Sequence, residues 1–215
     1  MLSSKAELQH LLEIVVGDLS LTVSPSQLQQ LTTHFSLLLK WNAKINLTSI
    51  RDPQEIATRH FEESLFLTKL VPRPLGTMVD IGSGAGFPGL PLKIAWPGVA
   101  TVLLEPNQKK TTFLKEVVRS CDLKGVDVRA ERLESVAQGE LAGRASLVTM
   151  RAVAPTRRAL GDAVKLLSPG GHLALYTSAE EAQPLPAPGH FQWRQRAAIP
   201  HSLRRVVLIG QLAGD

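Results

Sequence analysis

The chain has 215 residues, of which 44% are hydrophobic and 20% are charged. Such a length and composition are typical of one globular domain with a smaller attachment. The single cysteine, Cys121, excludes a disulfide framework and a cysteine-rich zinc site, and the net charge of +5 is compatible with a nucleic-acid partner without requiring one.

No apolar run approaches the ~18 residues that a membrane span needs. The N-terminal apolar pattern also contains Glu7, Glu13 and Asp18, which a secretory signal would lack. We therefore expect a cytoplasmic protein with no membrane segment.

Residues 1–75 are predicted to be helical. Apolar residues from Leu8 to Val15 recur at helical spacing. Ser24-Pro25 and Asp52-Pro53 are typical helix starts, because a short polar side chain can cap the first turn and proline fits that turn.

Residues 76–215 are predicted to form an α/β domain. Buried strands are expected at 78–81, 101–105, 126–130, 146–150 and 172–176, the last after the turn Pro169-Gly170-Gly171. Helices near 89–96, 108–121 and 155–167 alternate with them, which indicates a Rossmann-like, mostly parallel sheet. Strands at 191–199 and 204–212 would add an antiparallel hairpin, giving seven strands, and the proline-rich stretch 183–189 would be a surface loop.

A glycine-rich loop follows the first predicted strand. Gly84, Gly86 and Gly89 spell G-x-G-x-x-G, a dinucleotide pattern that is weak on its own. Asp80 argues against NAD, because its carboxylate would repel a pyrophosphate. S-adenosylmethionine carries cationic groups and no phosphate, so it fits Asp80 better. A glycine turn that merely closes the sheet remains an alternative, as does an NAD-dependent oxidoreductase.

Two further features are consistent with S-adenosylmethionine. Gly82, Gly84 and Gly86 would let the backbone approach the ligand closely. Glu105, at the end of the second predicted strand, is placed to accept hydrogen bonds from ribose hydroxyls.

Nearly the whole chain resembles the bacterial small-subunit rRNA guanine-N7 methyltransferases, also called glucose-inhibited division protein B. The resemblance rests on six segments: KWNAKINLTSIRDP (40–53), RHFEES (59–64), DIGSGAGFPGLPL (80–92), KKTTFL (109–114), RLE (132–134) and MRA (150–152). It implies a class I methyltransferase fold with an N-terminal helical cap. It also implies methyl transfer from S-adenosylmethionine to N7 of a guanine in the decoding-region loop of 16S rRNA, leaving S-adenosylhomocysteine and requiring no metal.

The resemblance also implies particular site residues. Gly82 and Phe87 would line the cofactor site and Glu105 would hold the ribose. Leu133 and Glu134 would flank the adenine, although the frame Arg129-Ala130-Glu131 matches the family equally well. Arg151 would complete the pocket at the end of the fourth strand, as the catalytic residue and as a cofactor contact.

The sequence departs from the family at two places. Met150 precedes Arg151, where Ser or Ala is frequent, and Thr177-Ser178 stand where many members have Lys-Gly. The second departure puts the RNA contacts of the 177–190 loop in doubt, but not the chemistry.

Guanine N7 has an in-plane lone pair, so we expect no general base. Arg151 is predicted to contact guanine O6, an RNA phosphate or the edge of the cofactor. The candidate RNA-binding residues are Arg59, His60, Lys109, Lys110, Arg157 and Arg158. Asn42, Asn46 and Thr48 are expected to fix an irregular loop through side-chain to backbone bonds, with RNA contact as the alternative.

Other functions remain open at this point. A methyltransferase for a small molecule or a protein is one, and a non-enzymatic RNA-binding module is another. The substrate could be free rRNA or an assembled small ribosomal subunit, and we expect the protein to be a monomer.

Overall fold

The computed structural model describes residues 4–182 and 185–214 of the chain. Its α-helices are α1 (Lys5–Asp18), α2 (Pro25–Asn42), α3 (Pro53–Ile56), α4 (Glu63–Phe66), α5 (Gly89–Ala95), α6 (Gln108–Ser120), α7 (Leu133–Val136) and α8 (Arg157–Lys165). A π-helical segment (Ala57–Glu62) joins α3 to α4, and a 3-10 turn (Leu67–Lys69) follows α4. The strands are β1 (Thr77–Ile81), β2 (Thr101–Leu104), β3 (Val126–Arg129), β4 (Ala145–Arg151), β5 (Leu167–Ser178), β6 (Phe191–Ala198) and β7 (Arg205–Leu212).

The seven strands form one sheet in the order β3-β2-β1-β4-β5-β7-β6. Strands β1 to β5 are parallel, whereas β7 runs antiparallel to both β5 and β6. This confirms the predicted α/β class and the terminal hairpin at one edge. In the sheet, β1 has β2 on one side and β4 on the other, so the direction in which successive strands are added reverses between β1 and β4. The carboxyl ends of β1 and β4 therefore mark the point where parallel sheets of this kind bind ligands.

The N-terminal helices pack on one face of the sheet domain. Phe35 and Leu38 of α2 are fully buried and share one apolar cluster with Leu90 of α5 and Phe113 of α6. Gln27 Nε2 also donates a hydrogen bond of 2.7 Å to the carbonyl of Ile94. Burying a side chain such as Phe35 contributes roughly 1.5–3 kcal/mol, so these contacts hold the N-terminal helices against the helices that cover the sheet.

The start of β5 differs from the prediction. The predicted turn Pro169-Gly170-Gly171 lies inside the strand, which begins at Leu167. Ala145 pairs with Leu167 and Leu147 pairs with His172, so β5 has a bulge between these two pairs. A bulge places unpaired residues between two paired ones, which looks like a turn in the sequence. The other six strands end within one residue of their predicted limits.

The proline-rich stretch is only partly described. Residues 185–188 have no regular structure, as predicted, whereas 183–184 lie outside the described residues. Over the part of the chain that the structure describes, no helix has both the length and the apolar character needed to cross a bilayer.

Candidate active site

A cleft of about 300 Å³ opens at the carboxyl ends of β1 and β4. It is lined by Leu47, Thr48, Ser49, His60, Gly82, Ser83, Gly84, Ala85, Phe87, Lys110, Arg151 and Ala152. The cap, the glycine-rich loop and the end of β4 thus form its walls. Six residues that the sequence identified line it together: His60, Gly82, Gly84, Phe87, Lys110 and Arg151.

The glycine-rich loop needs glycine at its first turn. Gly82 has a φ of +67°, and a Cβ atom there would lie 2.7 Å from Cγ2 of Val153. Gly84 has a φ of +56°, and the nearest atom to its Cβ position is the Gly82 carbonyl oxygen at 3.7 Å. Because the backbone is open at Gly84, a flat ligand group could approach it closely. The loop therefore fits the S-adenosylmethionine site expected from the sequence.

Asp80 lies beneath this loop and is fully buried. Its Oδ1 accepts a hydrogen bond of 2.7 Å from Thr149 Oγ1, and its Oδ2 accepts one of 3.3 Å from the Gly89 amide. Burial raises the pKa of this carboxyl to about 6, against the lowering effect of these hydrogen bonds. Asp80 ties β4 and helix α5 to the loop, while its direct contact with a cofactor stays a prediction.

Glu105 follows β2 and holds the other side of the loop. Its Oε2 accepts a hydrogen bond of 2.9 Å from the Gly84 amide, and its Oε1 accepts one of 2.9 Å from the Asn107 amide. Each carboxylate oxygen can accept a second bond, so the predicted ribose contact is compatible with this arrangement.

Arg59 and His60 lie on the π-helical segment, which the sequence did not predict. Such segments occur mostly as single turns inside α-helices and are frequent at functional sites. The His60 ring stacks on Phe87 with 4.8 Å between ring centroids and 20° between planes. The wider turn thus brings the cap against the glycine-rich loop. Arg59 instead forms an ion pair with Glu55, 2.7 Å between Nη1 and Oε1.

Arg151 joins the end of β4 to the π-helical segment. Its Nη2 donates hydrogen bonds to the Arg59 carbonyl at 2.6 Å and to His60 Nδ1 at 3.0 Å. The same nitrogen lies 3.3 Å from Oε2 of Glu63, whose other oxygen contacts Arg205. Glu63 is buried and places one negative charge between the two guanidinium groups, although burial raises the pKa of this carboxyl against the lowering effect of both arginines. Arg151 Nη1 is buried and finds no hydrogen-bond partner among the residues described.

His60 is held neutral in this environment. Burial, and after it the positive charge of Arg151, lowers the pKa of His60 to about 3. Its Nε2 lies 2.8 Å from Thr48 Oγ1 and its Nδ1 faces Arg151, so both ring nitrogens have partners. His60 is therefore unable to act as a free general base.

Several predicted residues lie outside the cleft lining. Leu133 is buried at the start of α7, while Glu134 and Glu131 are both exposed, so the choice between the two frames stays open. Lys109 is exposed beside Lys110 at the start of α6.

Arg157 and Arg158 are exposed at the start of α8. Gly86 has a φ of +89° and is packed against Leu90, away from the open side of the loop. The RNA contacts predicted for Lys109, Lys110, Arg157 and Arg158 stay predictions.

Thr48 is the lining residue whose importance the sequence understated. The expected loop exists, because Asn42 Oδ1 accepts hydrogen bonds from the amides of Leu47 at 2.9 Å and Thr48 at 3.0 Å. The sequence segment 40–53 pointed to this loop, but the spacing of its residues did not show that the loop reaches the cleft. Leu47 and Ser49 are brought to the wall in the same way.

One group of possible metal ligands lies away from the cleft lining. The nearest ligand atoms of Asp18, Glu62 and His201 lie within 4.8 Å of one another. Glu62 is buried and its Oε1 lies 3.4 Å from His201 Nε2. None of these three residues lines the cleft, so an ion held by them would not lie in the candidate active site.

Comparisons with known proteins agree with this geometry. Residues 27–198 match the sequence model of the GidB family, described as rRNA small subunit methyltransferase G. Ribosomal RNA small subunit methyltransferase G of Halorhodospira halophila is 38% identical over 162 residues, 75% of this chain and 75% of that protein. The protein of that name from Stenotrophomonas maltophilia (strain K279a) is 38% identical over 176 residues, 80% of this chain and 79% of that protein.

A solved structure shares the fold. TYW2 of P. horikoshii in complex with MeSAdo superposes with a TM-score of 0.59 at 15% identity. The superposition covers 80% of this chain and 66% of that chain. At this identity the likeness concerns the fold alone.

Proposed function

Because the chain belongs to the rRNA small subunit methyltransferase G (GidB) family, and is therefore an S-adenosylmethionine-dependent rRNA methyltransferase, we propose that it methylates N7 of a guanine in 16S rRNA. The target would be one guanine in the decoding-region loop of the small subunit. The protein would act in the cytoplasm as a monomer, with residues 1–75 as a cap on the methyltransferase domain of residues 76–215.

The observation that carries the choice of N7 is the lack of an available base. Among the described residues that line the cleft there is no carboxylate, and the imidazole of His60 has partners at both nitrogens. Exocyclic amines and guanine N1 must lose a proton when they are methylated, whereas N7 offers a lone pair and carries no proton. A cleft of this kind therefore favours N7 as the acceptor atom.

The charges around the cleft support the same acceptor. Positive charge develops on the purine as N7 is alkylated, so a cation beneath the base would oppose the reaction. His60 is neutral and Arg151 forms an ion pair with Glu63, while the third basic lining residue, Lys110, would face the RNA backbone and not the base. Catalysis then consists of positioning, and good alignment can supply ~7–11 kcal/mol of barrier reduction in favourable systems.

The cofactor residues follow from the loop geometry and the resemblance. S-adenosylmethionine supplies a methyl group that its sulfonium already activates. The open backbone at Gly82 and Gly84 and the ring of Phe87 would hold it, with Glu105 at the ribose. Leu133 and Glu134 would lie at the adenine, and Asp80 and Gly86 would complete the set of cofactor residues.

Arg151 lines the cleft and would contact the substrate or the cofactor there, and its Nη1 has no hydrogen-bond partner among the described residues. The RNA would approach across basic side chains near the cleft. Lys110 lines the cleft, and Lys109, Arg157 and Arg158 are exposed at the starts of α6 and α8. Arg59 and His60 would support the cleft wall that faces the RNA.

The test is transfer of labelled methyl groups. Purified protein is incubated with methyl-labelled S-adenosylmethionine and small-subunit particles that lack the modification, beside free 16S rRNA, 23S rRNA and tRNA. Chain cleavage at 7-methylguanine then maps the label, and Arg151→Ala is the variant expected to lose transfer. We expect label at one guanine of 16S rRNA, and the better substrate shows whether the particle or the free RNA is preferred. Label at an atom other than N7, or none in 16S rRNA, would overturn the proposal.

A further inference from the structure

Thr48 lines the cleft from the loop that follows α2. Asn42 fixes this loop through its two hydrogen bonds to backbone amides. The Thr48 residue is half-buried, and it lines the same cleft as Gly84 and Arg151. Its side chain is therefore rigidly placed and still open on one side.

The direction of the hydrogen bond between His60 and Thr48 follows from Arg151. A guanidinium group can only donate, so the hydrogen bond between Arg151 Nη2 and His60 Nδ1, which lie 3.0 Å apart, assigns Nδ1 as the acceptor. In a neutral imidazole the other nitrogen then carries the hydrogen. His60 Nε2 therefore donates to Thr48 Oγ1 at 2.8 Å.

The remaining partner of Thr48 leaves its hydrogen free. The Ile50 amide donates a second hydrogen bond to Oγ1, at 3.2 Å. A hydroxyl oxygen accepts two hydrogen bonds and donates one. Both acceptor positions are filled, and within the described ranges no group accepts the Thr48 hydrogen. Because Thr48 lines the cleft, a ligand bound there can accept this hydrogen.

We propose that Thr48 donates a hydrogen bond to O6 of the target guanine and so selects guanine and holds its N7 in place. The inference rests on the proposed function. Guanine presents two acceptors, N7 and O6, on one edge. Because N7 must stay free to react, the neighbouring O6 is the atom that a donor can hold.

The same donor disfavours adenine. Adenine carries an amino group at the position of O6, and that group would also be a donor. Two donors facing each other form no hydrogen bond, so the Thr48 hydrogen would remain unpaired. Glu63, which holds Arg151 in place, is a positioning residue for this arrangement, because it acts through Arg151 and His60 on the Thr48 hydroxyl.

Thr48→Val tests the inference, because valine has nearly the same shape and lacks the hydroxyl. We expect kcat/KM for methyl transfer to 16S rRNA to fall about 10- to 100-fold, since O6 would be desolvated without a partner. The dissociation constant for S-adenosylmethionine and the thermal midpoint should change little. Thr48→Ser should recover a large part of the activity. Thr33→Val, on α2 away from the cleft lining, is the matched control.

A substrate change isolates the contact with O6. Particles are reconstituted with 2-aminopurine, which keeps N7 and lacks O6, in place of the mapped guanine. Wild-type activity should fall on this substrate, and Thr48→Val should cause no further loss, because the two changes remove the same interaction. Equal activity of Thr48→Val and wild type on guanine, or additive losses, would overturn the role of Thr48 while leaving the proposed function intact. Absence of wild-type transfer to guanine would instead reject the proposed function and this inference with it.

Discussion

Glu63 supports the site by pairing with Arg151. Its side chain is 3% exposed and contacts Arg151 and Arg205. Breaking a buried ion pair from one side is strongly destabilising, because the other charge stays buried without compensation. We expect Glu63→Gln to lower the free energy of unfolding by about 3 kcal/mol, measured by urea denaturation, and to reduce methyl transfer.

The same substitution at an exposed ion pair is the control. Glu55 and Arg59 lie 2.7 Å apart, and their side chains are 45% and 43% exposed. Exposed pairs of this type contribute ~0–1 kcal/mol, so Glu55→Gln should change stability by less than about 1 kcal/mol. Equal losses of unfolding free energy in Glu63→Gln and Glu55→Gln would contradict the claim that the ion pair of Glu63 is the more important because it is buried.

At the scale of elements, the β6–β7 hairpin depends on a glycine in β7. The Phe191 ring of β6 lies over Gly210, and an added Cβ would come within 1.9 Å of Phe191 Cζ. Overpacking of this kind costs ~1–3 kcal/mol, so Gly210→Ala should lower the urea midpoint. Gly161→Ala is the control, because a Cβ at this helical position meets no atom within 4 Å. That variant should gain roughly 0.5–1 kcal/mol, and a gain at both positions would show that Phe191 does not confine Gly210.

Elements with local causes were predictable from the sequence. Helix α2 begins where Ser24 caps the first turn and Pro25 fits it, and both features lie within a few residues of each other. The bulge in β5 depends on pairing with Ala145, more than twenty residues earlier in the chain, so its sequence was interpreted as a turn. The π-helical segment likewise forms where Arg151 and Phe87 meet His60.

The candidate site also combines features with local causes and features that depend on distant partners. Sequence motifs identified the glycine-rich loop and Arg151, because the residue types in these segments, in this order along the chain, are typical of few other sites. Burial of Asp80 beneath the loop and the direction of the Thr48 hydrogen bond required the folded chain. Each depends on partners far away in sequence, such as Thr149 for Asp80 and Arg151 acting through His60 for Thr48.

At the scale of the whole molecule, His34 couples the fold to pH. It is fully buried in α2, and its Nε2 contacts the carbonyl of Ala85 in the glycine-rich loop at 2.9 Å. Burial lowers the pKa of His34 from 6.5 to about 4, against the raising effect of that hydrogen bond. The unfolded chain therefore binds a proton near pH 6 that the folded chain does not bind. The contribution of His34 to stability is lost as pH falls from 6.5 toward 4.

His34→Gln should remove this pH dependence, because glutamine can donate to the Ala85 carbonyl and does not titrate. Between pH 6 and 5 the free energy of unfolding of wild type should fall more steeply than that of the variant, by about 1 kcal/mol per pH unit. Urea denaturation over this range measures both slopes, and His190→Gln, at an exposed position, should retain the wild-type slope. Parallel slopes for wild type and His34→Gln would mean that His34 already carries its proton in the folded protein. The cap would then contact the glycine-rich loop through a charged histidine, and the stack of His34 on Phe87 would involve a cation.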